Sequence, residues 1–443
     1  MAENASQMAR AQRFRPYPEY NDSGVEWLGE IPAIWHKKRL KDECHAAALY
    51  GANESASSYA IDGVRFLRTT DIHENGSLSE AGAVFLPKSS VRDYLLADGD
   101  ILISRSGTLG RALHYSRARH GECAYAGYLV RFVPKKSLDP QFVFYYTKSQ
   151  PFQDWLSISV IQSTIGNVNG QKYANLEIPI PSSPEQRAIA SFLDRETAKI
   201  DALIAKKKRL IELLQEKRSA LTTQAVIKGL DPNAPMKDSG VEWLGEVPEH
   251  WEMRRLSTVC GFEQGKAHEP FVDDDGEFVC VNSRFVSTEG KARKFCNRNL
   301  SPARKNDVLM VMSDLPNGRA LAKAFFVTED KRYAVNQRVC ILSARHVNSR
   351  FLFYFLNRSP AFLRYDDGVN QTHLPNAAFT KCAVLLPPPP EQGRIVQIVD
   401  DVATRIDTLS QKVSEAIITL REFRSAIISA AVTGKIDVRE EAA

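Results

Sequence analysis

The sequence predicts an α+β protein. Two mixed α/β units are separated by two long helices that form an antiparallel coiled coil, and the whole is a pseudo-two-fold internal repeat. Three observations predict this. The segment Asp22-Ser23-Gly24-Val25-Glu26-Trp27-Leu28-Gly29-Glu30 returns unchanged as Asp238-Ser239-Gly240-Val241-Glu242-Trp243-Leu244-Gly245-Glu246. Pro184-Glu185-Gln186 returns as Pro390-Glu391-Gln392, each time opening a long apolar-periodic run. Between these flanks the two copies share little. Identity at the edges with divergence in the middle describes one scaffold used twice with two different inserts.

Each flank continues through a Pro and a Trp (Pro32 and Trp35; Pro248 and Trp251) to Arg39-Leu40 or Arg255-Leu256. In the middle, 64–68 and 277–281 read as strands, as do 99–104 and 306–311. Each of the latter two runs into a Gly-bearing loop, and Gly110-Arg111-Ala112 aligns with Gly318-Arg319-Ala320. The apolar runs 142–146 and 351–355, each followed by a Pro-containing turn, read as the first members of helix pairs.

The long helices have clear ends. Ser183 is the expected N-cap, Pro184 the first helical residue and Gln186 the partner that closes a capping box. The second helix has Pro389 where the first has Ser183. Gly229 and Gly434 mark the stops, with Pro232 just beyond the first. Each helix is then about 42 residues, or roughly 63 Å at 1.5 Å per residue. A heptad seam is expected at Val399, Val402, Ile406, Leu409, Val413, Ala416, Leu420, Phe423, Ile427 and Ala430, all apolar. The matching first-helix positions are Leu193, Glu196, Ile200, Leu203, Lys207, Leu210, Leu214, Lys217, Leu221 and Gln224. The chain leaves along one helix and returns along the other, so the pair is antiparallel. The expected divisions are an arm over 1–20, units over 21–182 and 230–387, helices over 183–229 and 388–435, and a tail over 436–443.

Composition narrows the function class. The chain has 443 residues, 43% of them apolar and 25% charged, as in ordinary globular proteins. No apolar stretch is long enough for a membrane span and the N-terminus lacks a secretory core, so a cytoplasmic location and no membrane partner are expected. Seven singly scattered cysteines suggest a reduced compartment and no zinc site. The net charge of +5 permits nucleic acid binding without requiring it. There is no P-loop, no strand-linked G-x-G-x-x-G and no metal-ligand spacing. Asp273-Asp274-Asp275 reads as a solvated turn. No catalytic or metal residue is nominated, and the chain reads as a recognition protein rather than an enzyme.

Groups suited to DNA recur at matching places. In the first copy they are Arg68, Thr69 and Thr70; then Arg105, Ser106, Thr108 and Arg111; then Asn167, Asn169 and Lys172. In the second they are Asn282, Ser283 and Arg284; then Ser313, Asn317 and Arg319; then Asn370, Gln371, Thr372 and His373. Arg pairs bidentately with guanine and Asn or Gln with adenine, while Ser, Thr and Lys suit phosphates. Each loop alone could be ordinary polar surface. The basic run Lys206-Lys207-Lys208-Arg209 on the first helix reads equally well as a solvated face or as a surface toward DNA.

The paired Ser-Gly-Val-Glu-Trp-Leu-Gly-Glu-x-Pro and Pro-Glu-Gln motifs, with two long helices framing dissimilar segments, resemble the specificity subunits of type I restriction–modification systems. The resemblance runs from about Tyr20 to Val438. It implies two target recognition domains, each reading one half of an asymmetric bipartite site in double-stranded DNA. It also implies two methyltransferase subunits as partners, with restriction–translocase subunits where present. S-adenosylmethionine would then sit on the methyltransferase, ATP and magnesium on the restriction partner, and no cofactor on this chain. Subunit contacts are expected at Glu185, Gln186, Glu391 and Gln392, and at the polar seam residues Lys207 and Lys217. The rival reading is a coiled-coil adaptor that bridges proteins without reading DNA.

Overall fold

A computed structural model describes residues 15–160, 166–314, 320–364 and 372–440. They fall into two compact units, Met1–Lys208 with Ser414–Ala443, and Arg209–Val413. Each unit therefore holds one globular body, half of the long helix α1 (Ser183–Lys228) and half of the long helix α2 (Pro389–Val432).

The repeated nine residues form the same hairpin loop twice. Tyr20–Asp22 pairs antiparallel with Glu30–Pro32, and Met236–Asp238 pairs likewise with Glu246–Pro248. Asp22 Oδ1 accepts from the Gly24 amide at 2.9 Å, and Asp238 Oδ1 accepts from Gly240 at 2.9 Å. Gly24 and Gly240 sit at φ +66° and +65°, Gly29 and Gly245 at +62°. That is left-handed backbone, which favours glycine, so the loop's shape accounts for much of its repeated sequence.

In the first unit the main sheet contains β1 (Cys44–Tyr50), β2 (Ile101–Ser104), β3 (Ala112–His114) and β4 (Leu129–Pro134), in the order β1-β4-β2-β3 and antiparallel throughout. A smaller sheet has Val64–Leu67 at its centre, paired antiparallel with Phe85–Leu86 and parallel with Cys123–Tyr125. The second unit repeats this with β5 (Cys260–Gln264), β6 (Val308–Val311), β7 (Ala324–Phe326) and β8 (Val339–Ala344), in the order β5-β8-β6-β7. Its smaller sheet centres on Phe278–Val281. All four residues of β2 and of β6 are buried, as expected of strands covered on both faces. The expected helix pairs form at Pro140–Tyr146 with Gln150–Ser159, and at Ser349–Leu356 with Pro360–Leu363. The Gly-Arg-Ala alignment is corrected: the Arg111 carbonyl accepts from Ser104 as the Lys323 carbonyl accepts from Val311, so Arg111 corresponds to Lys323.

The long helices stop where expected, with Gly229 at φ +76° and Gly434 at +71°. They are antiparallel within each unit: Arg424 pairs with Asp201 at 3.0 Å in the first, and Arg218 with Asp407 at 2.8 Å in the second. The expected seam needs a correction of phase. Most alternate positions hold (Leu193, Ile200, Val399, Ile406, Val413 and Ile427 are buried, though Leu221 is exposed), but the intervening ones move by one residue. Thr197, Ile204 and Ala225 are buried in place of Glu196, Leu203 and Gln224; Ala403, Ile417 and Ala431 take the places of Val402, Ala416 and Ala430. The cause is a step of four before the step of three. Apolar pattern alone missed it because Leu203, Leu210 and Leu409 are apolar yet exposed, whereas the seam residue Thr197 is polar. Its hydroxyl is satisfied by the Leu193 carbonyl at 2.7 Å and lies 3.2 Å from the Tyr145 hydroxyl.

The Pro-Glu-Gln starts lock each helix onto its body. Gln186 Nε2 donates to the Ser137 and Pro181 carbonyls, and its Oε1 accepts from the Asp139 amide at 2.7 Å. Gln392 does the same with the Pro387 carbonyl and the Asn348 amide, at 2.8 Å each. The expected capping box is therefore replaced by a tertiary clamp. Ser183 itself donates to the Ser137 carbonyl at 3.2 Å. Asp139 and Asn348 in turn cap the helices Pro140–Tyr146 and Ser349–Leu356. Below the clamps, the Tyr145 hydroxyl donates to Asp194 at 2.6 Å, and Tyr354 donates to Asp400 in the second unit.

Candidate nucleic-acid interface

In the first unit the fold gathers the candidate loops at one end of the main sheet. Beyond β2 the chain continues as Arg105-Ser106, held on both sides by backbone bonds. The Arg105 amide donates to the Tyr128 carbonyl at 2.9 Å, and the Val168 amide donates to the Arg105 carbonyl at 3.0 Å. Ser106 and Asn167 form an antiparallel bridge. The loop 105–111 and the loop 166–172, separate in sequence, are thus one surface. A Cβ at Gly107 would stand 4.0 Å from Thr69, so the 68–71 turn adjoins it.

Not every nominated side chain is presented outward. Arg68 is taken up by Asp71, to which its Nη2 donates at 2.8 Å, and by the Gly82 carbonyl at 2.7 Å. Within the chain it shapes the turn. Arg111 donates to the Ile72 carbonyl at 2.6 Å and ties two loops together. Thr69 is half-buried with no partner for its hydroxyl among the described residues, while Thr70 and Thr108 are exposed. Asn169 caps the helix Gly170–Ala174 by accepting from the Lys172 amide at 2.9 Å, and Lys172 Nζ donates to the Ser159 carbonyl at 2.7 Å. Arg105 is different. Its guanidinium lies over the Tyr50 ring, 4.9 Å from the centroid, and its Nε has no partner among the described residues.

The second unit repeats the backbone arrangement bond for bond. The Met312 amide donates to the Arg338 carbonyl at 2.9 Å, and the Leu374 amide to the Met312 carbonyl at 2.7 Å. Ser313 pairs with His373 and Asp314 with Thr372. Ser313 is buried, so it supports the surface instead of facing out of it; His373 is exposed. Asn282 caps the helix Ser283–Ser287 by accepting from Phe285 at 2.9 Å, leaving Arg284 exposed and Ser283 half-buried at that turn. Asn317, Arg319, Asn370, Gln371 and the side chain of Thr372 lie outside the described residues.

Two residues at this end were not nominated from sequence. Tyr50 and Tyr128 flank Arg105, and Tyr128 is 64% exposed. A signal was available in the glycine after Tyr50. A Cβ at Gly51 would strike the Tyr125 carbonyl oxygen at 2.2 Å, and one at Gly265 the Asn336 oxygen at 2.3 Å. Glycine at the same place in both copies marks where the backbone crosses at close range, directly beside the loops.

Comparison with known proteins bears on what such a surface is for. Residues 35–213 and 248–417 each match the family model for the type I restriction modification DNA specificity domain. The chain belongs to that specificity family. It is 24% identical over 410 residues to the type I restriction enzyme StySPI specificity subunit of Salmonella potsdam, covering 86% of this chain and 85% of that one. It is 22% identical over 408 residues to the EcoKI specificity subunit of Escherichia coli, with the same coverages. Its fold is similar to a chain solved in a study of complex assembly and conformational transition of the type I R-M system (TM-score 0.68, 16% identity, 92% of this chain and 99% of that). The HsdS subunit of Thermoanaerobacter tengcongensis follows, with TM-score 0.50, 16% identity and coverages of 92% and 98%. The chain is a DNA-specificity subunit, a recognition component rather than a catalytic one. Among the described residues, no helix is long and apolar enough to cross a membrane, and no His, Cys, Asp and Glu cluster is arranged to hold a metal.

The residues nominated for contacts between this specificity chain and other subunits separate into two groups. Glu185, Gln186 and Gln392 are buried inside the chain, where they hold each helix to its own body. Glu185 accepts from the Tyr17 hydroxyl at 2.6 Å and Trp35 Nε1 at 3.1 Å; burial and this carboxylate raise the Tyr17 pKa well above the usual phenol range. Glu391, half-buried, lies 2.8 Å from His250 Nε2. Lys207 is half-buried on the seam, whereas Lys217 is fully outside it and exposed. Among their exposed charged residues, Lys206, Lys208 and Arg209 included, the helices also expose apolar side chains: Leu203, Leu210, Leu213, Leu221, Leu409 and Ile418.

Proposed function

We propose that this chain reads an asymmetric bipartite site in double-stranded DNA, one half-site per unit, for a type I restriction–modification complex acting in the cytoplasm. The observation that carries the reading is the duplicated specificity domain with unlike side chains at like backbone positions. Ser106 faces Asn167 in one unit, where Ser313 faces His373 in the other. A scaffold repeated this closely keeps the geometry of approach, and the differing loops change the bases read.

The long helices receive two methyltransferase subunits, and restriction–translocase subunits where the system has them. Leucines exposed along a helix that already has a seam partner favour a second packing partner. S-adenosylmethionine then belongs to the methyltransferase, and ATP and magnesium to the restriction subunit. The test is selection from a random duplex pool by the full chain, alone and with its methyltransferase, at several salt concentrations. Salt-dependent binding with enrichment of two fixed base blocks is expected. A chain that assembles with its partner but enriches no sequence is an adaptor, and the proposal fails.

A further inference from the structure

The DNA-reading surfaces of the two units differ in where they place a cation, and the difference follows from equivalent backbone bonds. Arg105 and Met312 occupy the same position: each amide donates to the turn before β4 or β8, and each carbonyl accepts from the third loop. Tyr128 and Arg338 are equivalent as the residues whose carbonyls accept those amides. Tyr50 and Gln264 are equivalent as the last residues of β1 and β5, before Gly51 and Gly265. One unit thus presents Tyr50, Arg105 and Tyr128, and the other Gln264, Met312 and Arg338. Met312 is buried and Arg338 exposed, so the cation moves from the strand extension to the facing turn.

In the first unit the cation is held in advance. The Tyr50 hydroxyl accepts from the Gly170 amide at 2.9 Å, which fixes the ring against the third loop. A Cβ at Gly170 would meet that hydroxyl at 2.9 Å and the Ala48 Cβ at 3.1 Å, so a larger residue there would push the ring from its seat. Arg105 stacks on this fixed ring, and no side chain among the described residues takes up its guanidinium hydrogens. A guanidinium restrained by a ring keeps its planar fork oriented, the geometry that matches guanine O6 and N7.

Resting on the DNA-reading function above, we propose that Arg105, seated on Tyr50, reads a guanine in the first half-site, and that Arg338 supplies the corresponding cation for the second. Arg105 and Arg338 determine specificity; Tyr50 is a positioning residue.

The test compares full chains assembled with their methyltransferase partner, by selection and sequencing of bound duplexes and by affinity for single-base variants of the selected site. Arg105→Ala should abolish preference at one base pair of one block, a loss of about 5- to 150-fold in discrimination, with the other block unchanged. Arg105→Lys should keep the salt dependence but lose that preference, because an ammonium has no fork. Tyr50→Ala should weaken the same preference strongly, and Tyr50→Phe, which keeps the ring but loses the Gly170 bond, should weaken it less. Arg338→Ala should act on the other block alone. Equal weakening on every sequence by Arg105→Ala identifies a phosphate contact and overturns the proposal. So does a variant indistinguishable from a selective wild type, or action of Arg105 and Arg338 on the same block. A wild-type complex that selects no block refutes the underlying DNA-reading function as well.

Discussion

Ile417 and Ile418 are adjacent on α2, carry the same side chain, and differ in one respect: Ile417 is 7% exposed and Ile418 54%. The corrected seam phase places Ile417 against α1 and Ile418 outside; the phase read from apolar pattern places Ala416 in the seam. Truncating a buried Ile to Ala removes its transfer energy and leaves a cavity, together about 2–5 kcal/mol. Truncating Ile418 removes a side chain that is half in water already, and Ala regains some helix propensity, so the net change is within about 1 kcal/mol. Each kcal/mol moves the melting midpoint of a unit this size by about 2–4 °C. Thermal unfolding of the isolated chain, followed by circular dichroism, should therefore show a drop of several degrees for Ile417→Ala and almost none for Ile418→Ala. A second arm measures assembly with the methyltransferase, where the order should reverse once folding is accounted for. Equal destabilisation by the two variants, or a larger loss from Ile418→Ala, would refute the seam assignment.

Other outcomes are expected on the same grounds. Leu203 (43% exposed) and Ile204 (8%) make a second pair: Leu203→Asp should leave the chain folded and weaken its capture by the methyltransferase in a pull-down, while Ile204→Asp should lower the melting midpoint. Lys148 sits over the Phe144 ring at 5.0 Å, and burial, with Arg424 and Arg111 nearby, pushes its pKa down from 10.5 to about 8. The folded state then releases this proton before the unfolded one, so stability should rise from about pH 8 to 10.5, by up to about 1.4 kcal/mol per pH unit. Chemical denaturation across that range should show the rise in the wild type and lose it in Lys148→Met. Gly240→Val places a β-branched residue at φ +65° and should cost roughly 1–3 kcal/mol, read as a lower denaturation midpoint.

Much of the architecture was legible because the repeated segments are geometric necessities. Gly229 and Gly434 take positive φ, and their places in the sequence announced two helix stops; Gly24 and Gly29 also take positive φ, in a loop whose repetition was legible but whose shape was not. Strand cores such as 101–103 are apolar throughout and read readily as strand. The seam phase was not legible, because Leu203 and Ile204 are both apolar and only the packed partner tells them apart. The Pro-Glu-Gln motif was legible as a helix start but not as a clamp, since the Asp139 amide that Gln186 accepts from lies far away in sequence. Polarity nominated Arg68, Arg105 and Arg111 alike. Only the positions of Asp71, Tyr50 and the Ile72 carbonyl separate a loop brace from a poised side chain. Tyr50 was missed because an aromatic at a strand end has no recognisable pattern until its glycine neighbour and its hydrogen bond are seen.

The measurement closest to the central claim is a body exchange followed by mapping of methylated bases. The segment 36–182 of this chain would be replaced by the corresponding segment of another specificity subunit, leaving residues 183–443 intact. The chimera, assembled with its methyltransferase, should methylate a site in which one base block is new and the other is that of the wild type. A chimera that assembles and methylates the unchanged wild-type site, or a site altered in both blocks, would contradict the assignment of one half-site to each unit.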